Sequence, residues 1–102
     1  MNERIKNLIA NGENAQVEFK LAGKGFPSNV YETVCAFLNT KGGEIILGVD
    51  KDKNIIGIKP ENIDQYKKDF ASEMNNPQKI NPTVYLCMED YIIDGKTILY
   101  IV

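Results

Sequence analysis

Three carboxylates, Glu13, Glu18 and Asp50, have the residue type and spacing for the most specific chemistry in this 102-residue chain. Glu13 precedes and Glu18 sits within the strand-like stretch Val17-Glu18-Phe19-Lys20, and Asp50 closes a second one beginning at Glu44. If the helical pattern between the two is a crossover, the strands are neighbours and the carboxylates meet beside them. Gly48, two residues before Asp50, would leave a small open space there. Carboxylates clustered in this way hold Mg²⁺ or Mn²⁺ and activate a water toward a phosphodiester. The alternative is a set of solvated surface acids, paired with Lys20 or Lys51.

A second candidate is the loop Gly23-Lys24-Gly25, just ahead of a helix N-terminus, where free amides and the helix dipole favour an anion. Its alternative is a plain connection. Neither this loop nor Lys41-Gly42-Gly43 has the spacing or the hydroxyl of a P-loop, which argues against ATP hydrolysis. The chain has no histidine, so imidazole acid–base catalysis and His-activated nucleophiles are excluded. Cys35 and Cys87 read as buried, reduced thiols and are too few for a zinc site. The net charge of −2 gives no global field for nucleic acid, and Arg4 is the one arginine. A nucleic-acid function must therefore come from a local lysine patch or a metal-bearing acidic site.

The elements that must position these groups follow from periodicity. Residues 3–10 predict a helix, capped by Asn2 and stopped by Gly12. In the strand at 17–20, Val17 and Phe19 point to the core and Glu18 and Lys20 to a wet face. Ser28 caps a helix whose stripe is Val30, Val34, Phe37 and Leu38. Gly42-Gly43 turns the chain by positive φ into a buried strand, residues 44–50, with Ile45, Leu47 and Val49 on one face. The other face carries Glu44, Ile46, Gly48 and Asp50. A short antiparallel strand returns at 55–58. Pro60 opens a third helix with the stripe Ile63, Tyr66, Phe70 and Met74, ended at Asn75-Asn76 and Pro77. A strand at 84–93 then turns at Asp94-Gly95 into a partner at 96–102.

The order is α-β-α-β-β-α-β-β. It predicts one α+β domain over residues 1–102, with a mixed, mostly antiparallel sheet packed against about three helices. No run approaches the ~18 apolar residues of a membrane span, and the N-terminus is not built like a signal peptide. The expectation is a cytoplasmic protein. The chain stops within an apolar strand, which reads as a domain of a longer protein or as a last strand at the sheet edge.

Glu13-Asn14-Ala15-Gln16-Val17-Glu18-Phe19-Lys20, the run from Ala36 to Asp50 around Asn39-Thr40-Lys41-Gly42-Gly43 and Gly48-Val49-Asp50, and Ile56-Gly57-Ile58 together resemble the Schlafen AlbA-like domain. The resemblance runs from about Glu13 to the end, through Ile80-Asn81-Pro82 and the final hairpin. It implies a DNA-binding module of the kind found at the N-terminus of bacterial transcriptional regulators and helicase-like proteins. Members usually continue into an aromatic- and arginine-rich segment that this chain lacks. In vertebrate Schlafen proteins a similar domain is an RNA endonuclease with three acidic residues. By motif these carry over to Glu13, Glu18 and Asp50, with Asp52 an alternative for the third. Those nucleases join two such lobes in a basic channel, and a homodimer would supply the second lobe here.

The first reading is thus a non-catalytic module of a transcriptional regulator, binding DNA or RNA without a cofactor. Its phosphate contacts would be Lys20, Lys24, Lys41, Lys51 and Lys53, in loops near one edge. The second is a nuclease using Mg²⁺ or Mn²⁺ on Glu13, Glu18 and Asp50. The third is a dimerisation domain, which suits the acidic pI of about 5.1.

Overall fold

Alternate residues of a strand face opposite sides of a sheet, so the run Ile45-Ile46-Leu47 can be buried only if both faces are covered. The computed structural model, which describes residues 1–23, 25–74 and 88–102, provides that cover. Its elements are α1 (Asn2–Asn11), β1 (Val17–Lys20), α2 (Val30–Leu38), β2 (Glu44–Leu47), α3 (Ile63–Met74), β3 (Met88–Ile93) and β4 (Lys96–Ile101). The strands form one sheet in the order β1-β2-β4-β3. β1 and β2 are parallel, and β2–β4 and β3–β4 are antiparallel. On one face Ile45, Leu47, Leu99 and Ile101 pack with Val30 and Val34 of α2 and with Ile63, Tyr66, Phe70 and Met74 of α3. On the other, Val17, Phe19, Ile46, Ile98 and Tyr100 pack with Ile5 and Ile9 of α1. This is the expected α+β arrangement, with helices on both faces of a mixed sheet.

Several local expectations change. Asn2 does not cap α1; it lies in the helix, and its side-chain amide donates to the Ile92 carbonyl at 3.1 Å. Asn29 rather than Ser28 occupies the cap position of α2, with no side-chain cap bond. Of the Gly42-Gly43 turn, only Gly42 needs positive φ (86°). Gly43 answers a steric demand, since a Cβ there would lie 2.6 Å from the Phe37 ring.

The returning strand at 55–58 is reduced to a single antiparallel bridge between Val49 and Ile55. Its ladder breaks because the Gly48 carbonyl accepts from two consecutive amides, Ile56 and Gly57, as in a bulge. Gly48 itself has φ 102°, which shifts the side-chain phase. Val49 therefore joins the core beside Ile46, not the face of Leu47. β4 is an interior strand, not an edge. Cys35 is half-buried against the α2–α3 core. Lys24, Cys87, the helix stop at 75–77, the 80–82 segment and the strand before Met88 lie outside the described residues. Among the described residues no helix is long and apolar enough to cross a membrane.

Gly43→Ala should lower stability by about 1–3 kcal/mol through overpacking against Phe37. Gly42→Ala should cost about 1 kcal/mol from φ strain alone. Equilibrium urea unfolding of both variants measures the difference, and a Gly43→Ala cost no larger than that of Gly42→Ala would contradict the packing account.

Candidate nucleic-acid interface

The parallel pairing of β1 with β2 sends both strands out at the same end of the sheet, where Lys20 stands beside Leu47. β4 runs the other way, so its first residue, Lys96, and the Asp94-Gly95 turn lie at that end too. Open sheets with helical crossovers characteristically keep their crevices outside the C-terminal ends of parallel strands. Here a cleft of about 340 Å³ occupies that position. Glu18, Lys20, Leu21, Asp50 and Lys51 line it, together with Pro27 and Asn29 ahead of α2. Gly48 does not contribute the expected open space. A Cβ there would meet Ile58 and Ile98 at 3.3 Å, so that position is packed.

Each carboxylate already has partners. Glu13 accepts from the Phe19 amide at 2.8 Å and from the Lys51 ammonium at 3.4 Å. With the Asn14–Val17 bridge, it occupies the outer edge of β1, which would otherwise present unpaired amides. Glu18 lies 3.9 Å from both Lys20 and Lys51. Asp50 accepts from the amides of Asp52 and Asn54 and from the Asn54 side chain, at 2.8–3.1 Å. These bonds, the Asn54 amide foremost, hold the Asp50 carboxyl below the usual carboxylate range. Asp52 contributes its backbone to this turn.

Glu13 and Glu18 are thus brought together through Lys51, and Glu18 and Asp50 share the cleft wall. Among the described residues, no three acidic or thiol groups are disposed to hold a metal ion. Lys51 stands between Glu13 and Glu18, and three hydrogen bonds of the turn, two on Oδ1 and one on Oδ2, already engage Asp50.

The lysines separate into two groups. Lys20, Lys51 and Lys53 belong to the cleft end; the stem of Lys53 lies against Gly12, 3.3 Å from where a Cβ would be. Lys41 lines the opposite end, beside Gly43 and Glu44. Lys20 is not on a wet face. Paired in register with Leu47, it is only 9 % exposed and lines the cleft. Sequence reasoning missed Lys96, whose ammonium donates to the Ile55 carbonyl at 3.0 Å. Its place after the Asp94-Gly95 turn was readable, but the strand order that brings that turn to the cleft end was not. Arg4 pairs with Glu44, donates to the Tyr100 hydroxyl at 2.8 Å and lies over the Tyr100 ring. The one guanidinium of the chain thus fastens α1 to the sheet at the far end.

Because the folded pKa of Asp50 is depressed, its contribution to stability is present above the unfolded value of about 3.9. It is lost as pH falls through the lower folded value. An NMR titration should find the Asp50 carboxyl titrating below the usual carboxylate range, with amide protection at Asn54 fading alongside it. Asp50→Asn should remove that acid-dependent step, and an ordinary Asp50 titration would contradict the turn geometry.

Against known proteins, the Schlafen, AlbA_2 family matches residues 13–102. Among solved structures, the chain is similar to the N-terminal domain of a protein from Nitrosomonas europaea related to the ATP-dependent DNA helicase RecG. That likeness has 27% identity and a TM-score of 0.67, and covers 98% of this chain and 67% of that one. The DIP2311 protein from Corynebacterium diphtheriae shares the fold at 18% identity and a TM-score of 0.62, over 97% of this chain and 24% of that one. No curated protein matches significantly. With nine-tenths of its length inside the family's pattern, the chain belongs to the Schlafen, AlbA_2 family.

Proposed function

We propose that this chain is a nucleic-acid-binding module whose contact surface is the cleft end of the sheet. The observation that carries the reading is the convergence of Lys20, Lys51, Lys53 and Lys96 on that end, from β1, the loop after β2 and the start of β4. Family membership and the likeness to a domain of a RecG-related protein support it. Ammonium groups on an otherwise acidic chain make contacts to phosphates rather than to bases, so binding is weak, salt-dependent and tolerant of sequence. The setting we favour is a cytoplasmic transcriptional regulator in which a second lobe, from a homodimer or a neighbouring domain, adds contacts. We read binding without catalysis, because Lys51 pairs with Glu13 and the turn amides already engage Asp50.

In a low-salt mobility-shift or anisotropy assay, the chain should bind DNA or RNA oligonucleotides in the ~10⁻⁴–10⁻⁶ M range typical of non-specific contacts. The double variant Lys53→Glu/Lys96→Glu should weaken binding by about tenfold or more and flatten its salt dependence. Lys41→Glu, at the opposite end, should change it little. Equal losses in both variants would move the interface elsewhere. Incubation with Mn²⁺ should leave the oligonucleotide intact; cleavage that disappears in Glu18→Gln would replace this reading with the nuclease.

A further inference from the structure

After Lys20, whose carbonyl accepts from the Gly48 amide at 2.7 Å, the chain leaves the sheet. It then forms one wall of the cleft, through Leu21, Pro27 and Asn29, before entering α2. Among the described residues, the main chain of Leu21, Ala22, Gly23, Gly25 and Phe26 makes no hydrogen bond to another main-chain group. Gly23 and Gly25 have nothing within 4 Å of where a Cβ would lie. Glycines in open space add conformational freedom, so a fixed wall needs an anchor from elsewhere.

That anchor is α3. The Tyr66 hydroxyl donates to the Ala22 carbonyl at 2.8 Å, and both residues are buried. The bond is made away from water, where an unpaired carbonyl is costly. Further along the segment, Phe26 sets its ring edge-on to that of Tyr66, with centroids 5.8 Å apart, and lies 6.4 Å from that of Phe70. Tyr66 and Phe70 stand one helical turn apart, so a single face of α3 holds the segment at two points. Among the described residues, none from α3 lines the cleft itself.

We propose that Tyr66 is the positioning residue of the cleft: by pinning Ala22 it fixes the wall between β1 and α2 without touching a ligand. The proposal rests on the nucleic-acid reading above and names the group that sets the shape of that site from behind. A wall ordered in advance need not be ordered on binding. Loss of the pin should therefore weaken binding without removing a phosphate contact.

The test is Tyr66→Phe, which keeps the ring beside Phe26 and removes only the hydroxyl. Ile63→Val, a change in the same core on the same helix, controls for general loss of packing. By ¹⁵N relaxation, the backbone order parameters of Leu21, Ala22 and Gly23 should fall from about 0.85 to below about 0.6 in Tyr66→Phe. They should hold in Ile63→Val, and that of Leu99 in the sheet interior should hold in both. In the low-salt oligonucleotide assay, Tyr66→Phe should bind several-fold more weakly with an unchanged salt slope, because the phosphate contacts remain. Ile63→Val should bind as the parent chain does. A segment equally ordered in all three chains would overturn the pin, and so would equal loosening in both variants. A loosened segment with unchanged affinity, or a flattened salt slope, would overturn the positioning role. A parent chain that binds no oligonucleotide refutes the nucleic-acid reading instead, and the relaxation measurement, which needs no ligand, still decides the pin.

Discussion

The structure depends on a sheet covered on both faces. Ile46 and Leu47 are adjacent, point in opposite directions and are both fully buried. α2 and α3 cover one side, and α1, fastened by Arg4 to Glu44 and Tyr100, covers the other. With both faces committed to packing, the surfaces left for recognition are the ends and edges of the sheet. The outer edge of β1 is closed by Asn14 and the Glu13 carboxylate. At the cleft end two parallel strands stop together and leave a crevice between their loops.

This constraint gives the acidic residues their roles. Glu13 reads as a structural acceptor on an edge strand and Asp50 as the organiser of the turn at 50–54. Glu18 is the carboxylate of the three that faces the cleft without a backbone amide on it. Lys20 and Lys51 share the cleft lining with Glu18 and Asp50, so it is less acidic than the carboxylate motif alone implies. The lone arginine is held at the far end, and any phosphate contact falls to ammonium groups.

Much of the scaffold was legible in the residues. Alternation at Val17 and Phe19, the α3 stripe, the Asp94-Gly95 hairpin and the crossover between β1 and β2 are local signals that periodicity reports, whereas Leu38, expected on the α2 stripe, is exposed. The misreadings arose where tertiary context or backbone hand intervened. Positive φ at Gly48 moved Val49 to the other face, and the two amides on its carbonyl reduced the return at 55–58 to one bridge. Strict alternation cannot foresee either. The burial of Lys20 was likewise hidden, because alternation places it on a strand face that looks wet in isolation. The grouping of Glu18 with Asp50 was anticipated from the crossover, whereas the separation of Lys41 from Lys51 and the arrival of Lys96 required the strand order.

The central claim is that recognition occurs at the end of the sheet where β1 and β2 stop. Lysine footprinting tests it most directly: the chain is briefly acetylated with and without a saturating oligonucleotide, and protection is read at each lysine by mass spectrometry. The account predicts protection of Lys51, Lys53 and Lys96, with Lys41, Lys67 and Lys68 reacting equally in both samples. Protection concentrated at Lys41, or on the α3 lysines, would contradict it.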